Sequence, residues 1–429
     1  MKRCLIIGGG IAGLNAASIL SSKKIPVTLI ESSPKLGGRT YSFLDRNTDT
    51  FVDNGQHIMM GCYNDTISFA KLIGAENNFE YQKNLTLNFL HKSKKQYQLN
   101  AKAFFYPINL FYAIIKYNIL STKEKISFIV FILKLPLLSE KSLKNLNVKE
   151  WLEEENQSIN TIKYFWEILC VGALNTSLEK ASALIFYKIM IQIFLKGNFA
   201  STIILPKYGL SESIVDPAVS FIEKIGGKII PSETVIELIV ENQKIVSVKS
   251  ETNSYNNFDF IISALPLYAL EKIIQLKALD INFELQYSTI LNVHLWISTL
   301  KFKEKFYGLL DSPLHWLFVK ENHINIVISN ANHLAEKSKE EIFDFVINNL
   351  EEFISTNKGD VQHYKIIKEK RATFIPTVEI SNRRPNSKTI INNLFLAGDW
   401  INTGLPSTIE SAAKSGRIAA DLVINEMSN

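Results

Sequence analysis

The sequence predicts an α/β protein with two units: a three-layer ββα unit built on a parallel sheet, and a mixed α+β, helix-rich unit beside it. Three observations predict this. A strand, glycine turn, helix and second strand open the chain. A buried strand ending in glycine and acid, followed by a helix, lies near its other end. Between them, apolar residues recur at helical spacing through much of residues 79–200. The first unit is expected to comprise 1–75, 205–267 and 366–429, and the second 76–204 and 268–365.

The apolar run Cys4-Leu5-Ile6-Ile7 breaks into Gly8-Gly9-Gly10-Ile11-Ala12-Gly13. Leu14, Ala16, Ala17, Ile19 and Leu20 then follow at helical spacing, and Val27-Thr28-Leu29-Ile30 forms a second strand closed by Glu31. Each part suits a dinucleotide. Gly8 permits the tight turn, Gly10 lets backbone approach a pyrophosphate, and Gly13 lets helix and strand pack closely. Ile11 and Ala12 open the helix, whose free N–H groups and dipole favour phosphate. Glu31 lies at the distance the Rossmann-like fingerprint requires for an acid that accepts hydrogen bonds from ribose hydroxyls.

A second glycine pair with a cation, Gly37-Gly38-Arg39, comes directly after that acid. A simple nicotinamide domain has no need of it. In this respect the chain resembles flavoproteins of the amine oxidase and phytoene desaturase superfamily, in which the pair and its arginine sit against the FAD pyrophosphate and flavin edge. The resemblance also implies that the segment Phe51 to Tyr63 runs past the flavin. Gly55 is therefore a cofactor-binding position, and Asp53, His57 and Tyr63 are candidate proton donors. For His57 a satisfied buried imidazole is the competing reading.

The bulk properties narrow the classes further. With 429 residues, 46% of them hydrophobic, the chain can bury more than one core. A net charge of +5 does not argue for nucleic acid and is compatible with attraction to anionic lipid. Cys4, Cys62 and Cys170 are scattered and fit a reducing compartment, and His294, His323 and His333 lack metal-ligand spacing. The start of the sequence runs straight into a strand, so a cytoplasmic protein without a signal peptide is expected.

From Phe79 to about Ala200 helical spacing is expected, as in Ile108 to Ile115 and Ile126 to Leu133. Lys116, Lys123, Lys125 and Lys134 cut these runs below the length of a spanning helix. They read as the walls of a greasy substrate cavity, with peripheral contact at the inner membrane surface as the alternative. Leu174-Asn175-Thr176 suggests a helix end or cavity wall. Leu205 to Leu210 is expected to resume the nucleotide-binding pattern. Val235 to Val240, Ile245 to Lys249 and Phe258 to Ala264 read as a strand meander completing the first unit, with Val235 among the cofactor-binding positions. Val293 to Ile297 and His315 to Val319 read as strands.

Near the C-terminus, Leu394 to Leu396 leads into Gly398-Asp399-Trp400, and Thr403-Gly404-Leu405-Pro406-Ser407-Thr408-Ile409 opens a helix with Pro406 expected in its first turn. Gly398, Asp399, Pro406, Thr408 and Ile409 are assigned to the cofactor, Asp399 to its ribityl hydroxyls. The helix dipole would then stabilise negative charge on the reduced flavin. No second G-x-G-x-x-G occurs, so electrons for a net reduction must come from an external donor.

Val52-Asp53-Asn54-Gly55-Gln56-His57 with Gly61, Leu174-Asn175-Thr176 with Ala181-Ser182, and the C-terminal motif together resemble the squalene-associated FAD-dependent desaturase family. Ser177 departs from the proline usual there, and Ser411 from a frequent glycine. The resemblance implies FAD and an apolar isoprenoid substrate. The implied reaction is reductive removal of the hydroxyl of hydroxysqualene to give squalene, in a dry site with few acids. Two alternatives stay open: a carotenoid or phytoene-type desaturase running the hydride the other way, and a flavin-binding partner protein without catalysis. Oligomeric state is not legible.

Overall fold

The computed structural model describes residues 2–297 and 301–428. At its centre is a five-stranded parallel sheet in the order Lys228–Ile230, Val27–Ile30, Cys4–Ile7, Phe260–Ser263 and Leu394–Leu396. Cys4 to Ile7 is apolar throughout because both faces of that strand are covered. Side chains alternate between the two layers: Cys4 and Ile6 pack beneath helices Ile11–Ser22, Asp216–Lys224 and Ile409–Ser428. Leu5 and Ile7 pack against an antiparallel sheet of Val235–Glu241, Lys244–Ser250 and Ser254–Tyr255. This is the expected three-layer arrangement.

A second, seven-stranded sheet runs Val361–Phe374, Tyr287–Ile297, Ile324–Ile328, Trp316–Val319, Phe306–Leu310, Thr86–His91 and Gln96–Asn100. One side carries helix Lys339–Leu350, with Ile342, Val346 and Leu350 buried against Leu291, Val293 and Ile326. The other side meets the helical region, whose core stacks Phe128 on Trp166 at 4.7 Å between ring centroids. Capping boxes at Ser121 and Glu124, and at Asn147 and Glu150, start two of those helices by satisfying otherwise orphaned amides. Helix Glu167–Leu174 stops at Asn175, which adopts the left-handed conformation at φ 49°, so the polar Asn-Thr pair does mark a helix end. Among the described residues no helix is long and apolar enough to cross a membrane.

Four expectations are corrected. Residues 79–100 form strands, and the helical stretch begins at Ile108. Gln96, Gln98 and Asn100 alternate with Tyr97 and Leu99, the period-2 pattern of an edge hairpin solvated on one side, which the helical reading passed over. Phe260–Ser263 leaves the meander and lies in the parallel sheet between the first and last strands, because its four buried residues must be covered on both faces. Ile203–Pro206 joins a small sheet with Met59–Met60 and Phe79–Tyr81 instead of the nucleotide-binding sheet. The boundary drawn at residue 365 falls inside Val361–Phe374, which belongs whole to the seven-stranded sheet. Its half-exposed charged residues masked the strand.

Candidate functional site at the glycine turns

The first turn is shaped by contacts that only glycine allows. Gly8 has φ +105°, and a Cβ there would stand 3.0 Å from the Ala264 carbonyl oxygen. A Cβ on Gly13 would come within 1.9 Å of the Gly8 oxygen, so the helix rides directly on the turn. At Gly10, by contrast, a Cβ would meet nothing within 4 Å. That open space lies at the N-terminus of helix Ile11–Ser22, where the first intrahelical bond is from Leu14 N to Gly10 O, leaving the Ile11, Ala12 and Gly13 amides without helical acceptors. A cradle of this kind fits a pyrophosphate.

Glu31 closes one side of the cradle. Its Oε2 accepts from Gly9 N at 2.6 Å, and its Oε1 from Ser33 N at 2.8 Å. The carboxylate is thus fixed beside the turn with acceptor capacity left for hydroxyl groups. The strand beginning at Val235 runs past it: Glu233 N donates to Glu31 O, and Val235 is buried with Ile7 and Ile30. On the other side Gly37 N donates to Gly9 O at 2.8 Å, laying the second glycine pair against the first; Gly37 and Gly38 both have positive φ.

From that pair Arg39 reaches the far end of the sequence. Its Nη1 donates to Ala372 O at 2.7 Å and its Nη2 to Asp399 Oδ1 at 2.8 Å. Burial would raise the Asp399 carboxyl, but Arg39, the Ser407 hydroxyl and Arg384 outweigh it and hold the group below its ordinary value. Gly398, with φ +133°, donates through its amide to Ser415 Oγ. Pro406 is corrected here: helix Ile409–Ser428 starts three residues after it, and Thr408 caps that helix by accepting from Ser411 N at 3.2 Å. Proline's fixed φ serves the turn before the cap instead of the first turn of the helix.

Arg384 went unrecognised in the sequence. Its buried guanidinium donates to the carbonyl oxygens of Trp400 at 3.1 Å, Leu405 at 2.6 Å and Asp399 at 2.9 Å, and also to that of Ile401. Burial lowers its pKa to about 10. One cation therefore organises the loop between the last strand and the last helix. Such a role leaves no motif, since its partners are backbone atoms.

The segment 53–63 connects this cradle to the apolar core. Asn54 Nδ2 donates to Arg39 O at 3.3 Å and to Glu369 Oε2 at 3.1 Å, and Asn292 donates to Asn54 O. At Gly55 an added Cβ would make only ordinary contacts, with Asn292 and His57. Beyond it, Ile58, Met60 and Cys62 pack against the core of the helical region, as do Leu169 and Trp316. His57 is pushed down to about 4 by burial, with nearby Asp53 opposing and Arg39 adding to the shift, so its imidazole is neutral at pH 7. Burial pushes the Tyr63 phenol up, with Cys62 and Glu410 adding to this and a hydrogen bond with Thr408 opposing it.

Asp53 does not fit the proton-donor expectation. Its Oδ1 accepts from Leu210 N at 2.9 Å and Ser42 Oγ at 2.8 Å, and Lys320 Nζ lies 3.4 Å from Oδ2. A carboxylate so committed anchors its segment. The structure also joins His294 and His323, which sequence spacing had left unrelated, as a buried pair with Nδ1 and Nε2 3.0 Å apart. Among the described residues no group of three side chains could hold a metal.

The chain is similar along its whole length to proteins already known. The model for flavin containing amine oxidoreductases matches residues 11–424. A hydroxysqualene dehydroxylase from Zymomonas mobilis is 30% identical over 98% of this chain and 98% of its own length. A 15-cis-phytoene desaturase from an Oncidium hybrid is 22% identical over 98% of this chain and 78% of its own length. An oxidoreductase from Methanosarcina mazei shares the fold at a TM-score of 0.74, with 16% identity over 99% of this chain and 100% of that one.

Proposed function

Because the chain belongs to the flavin containing amine oxidoreductase family and is an FAD-dependent oxidoreductase acting on isoprenoids, we propose a specific reaction for it: reductive removal of the hydroxyl group of hydroxysqualene to give squalene. The observation that carries this reading is the course of residues 53–63. They leave a phosphate-fitting glycine cradle at Asn54 and enter an apolar core at Ile58, so a cofactor held by the cradle would face apolar side chains at that end.

The residues that would hold FAD are the amides of the first helix turn, Glu31 at the ribose, and the pair Arg39 and Asp399 where the two motifs meet. Bound there, FAD supplies hydride exchange with a substrate carbon. In the proposed direction a C–O bond breaks and a C–H bond forms, the hydride replacing the oxygen, which leaves as water once it gains one proton. The chain must deliver that proton. The Tyr63 phenol is the group on the segment that still carries a transferable proton at pH 7, and we assign the leaving oxygen to it; His57, neutral at pH 7, is assigned to hydrogen-bond and orient that oxygen, and Asp53 keeps its anchoring role. The apolar walls exclude water, which would otherwise trap a developing cation.

The test is lipid analysis by mass spectrometry of cells lacking this chain. Accumulation of the C30 alcohol with loss of squalene supports the reading. Unchanged squalene, or accumulation of a more saturated polyene, rejects it and favours the desaturase direction.

A further inference from the structure

The helical region carries an exposed apolar surface that neither the cradle nor the reaction explains. Helix Thr122–Lys134 buries Phe128, Phe131 and Ile132, yet Ile126, Val130 and Leu133 are exposed on its opposite side. Leu137 continues that stripe at i, i+4, i+7 and i+11 and is 85% exposed. The neighbouring helix Ile108–Lys116 adds exposed Ile115, and the loop before it Phe105 at 71% exposure. Lys125 Nζ donates to Ile115 O at 2.8 Å and fastens the two helices together. A soluble face would not carry so many large apolar side chains side by side.

The charge around this face identifies its partner. Residues 101–149 contain eight lysines and two glutamates, with no arginine or aspartate. That surplus of six exceeds the +5 of the whole chain, so the remainder is slightly acidic. Both glutamates are engaged, Glu124 in a capping box and Glu140 3.2 Å from Lys188; of the lysines, Lys134 and Lys149 are paired with Glu155 and Glu179 from outside the stretch, so the positive charge of this face rests on the others, Lys102, Lys116 and Lys123 among them. A second copy docked on the same face would set two strongly positive surfaces against each other, whereas an anionic bilayer complements both the apolar stripe and the lysines.

We propose that the outer face of helices Ile108–Lys116 and Thr122–Lys134, with Phe105 and Leu137 as its most exposed wedges, docks on the surface of an anionic lipid bilayer. The apolar side chains enter the headgroup boundary, and Lys102, Lys116 and Lys123 lie at the phosphates. The isoprenoid reading gives such docking a purpose, but the binding does not depend on it.

The test is flotation of the FAD-loaded chain with vesicles of phosphatidylcholine, alone or with a third of phosphatidylglycerol. Binding to the anionic vesicles, weakened by salt, is expected. Leu137→Ser should lower the partition coefficient about tenfold, the worth of one large apolar side chain. Lys116→Glu combined with Lys123→Glu should lower it by more than the roughly fivefold expected for one basic residue. Retained flavin content would show that these surface variants fold. Absence of binding to anionic vesicles overturns the proposal, as does equal binding by the folded variants. A concentration-dependent dimer in sedimentation, abolished by Leu137→Ser, would assign the face to a second copy and also overturn it.

Discussion

Replacing Gly10 by alanine separates cofactor binding from folding. A Cβ at this position meets nothing within 4 Å, and Gly10 already has φ −72° and ψ 178°, values alanine adopts freely. Losing a glycine from the unfolded chain favours folding by about 0.4–1 kcal/mol, and the poorer N-cap costs a few tenths to about 1. The FAD-free variant should therefore match the parent in stability to within about 1 kcal/mol. The new methyl projects into the space assigned to the pyrophosphate. If two amide bonds to phosphate are lost at about 1.5–3 kcal/mol each, FAD affinity falls by between about a hundredfold and ten-thousandfold. Urea unfolding of the FAD-free chain and fluorescence titration with FAD give the two numbers separately. Binding within threefold of the parent would refute the placement of the pyrophosphate. Gly13→Ala is the contrasting control: its Cβ would overlap the Gly8 oxygen, so it should fail to fold.

Asp399→Asn removes the countercharge of Arg39 while keeping the shape; with Arg39 half exposed, a stability loss of about 2 kcal/mol in urea unfolding is expected, and no change would deny the join between the motifs. Arg384→Met strips the donor from several buried carbonyls at about 1 kcal/mol or more each, and thermal unfolding should show a loss of several kcal/mol that excess FAD partly restores. Below pH 6.5 stability should fall steeply. His57, His315 and His323 are held to about 4 and His294 to about 3, so between those values and 6.5 the unfolded chain binds protons that the folded chain refuses. Each contributes up to about 1.4 kcal/mol per pH unit, present in full above pH 6.5 and lost as pH falls through that window; flat urea midpoints from pH 7 to 5 would contradict this. His57→Gln with Tyr63→Phe should lower kcat while leaving flavin content intact, and full turnover by the double variant would remove both from the assigned roles.

The sequence disclosed those parts of the site whose chemistry is local. From Cys4 to Glu31 the turn, helix and acid are consecutive, so spacing alone carries the geometry. Asn175 was legible for the same reason, since a helix that stops needs a residue tolerant of positive φ. Long-range features were legible only as separate halves. Nothing in Arg39 or Asp399 announces a 2.8 Å pair across 360 positions; only a shared cofactor made their meeting expected. Arg384 was invisible because backbone carbonyls leave no mark on a sequence. Phe260–Ser263 was misplaced because a short buried run of three apolar residues and a serine reads alike in a meander and in a parallel sheet. Asp53 was assigned by its neighbourhood, and its role was decided by Ser42 across a strand pairing, by the backbone amide of Leu210 and by the distant Lys320.

A single anaerobic turnover tests the proposed chemistry most directly. The FAD-loaded chain is reduced, mixed with hydroxysqualene in the absence of oxygen, and followed by visible absorbance and product mass. Return of oxidised flavin absorbance with one squalene formed per flavin is the expected result. Flavin that stays reduced with hydroxysqualene, while the oxidised form is bleached by squalene or a longer polyene, would contradict the proposed direction of hydride transfer.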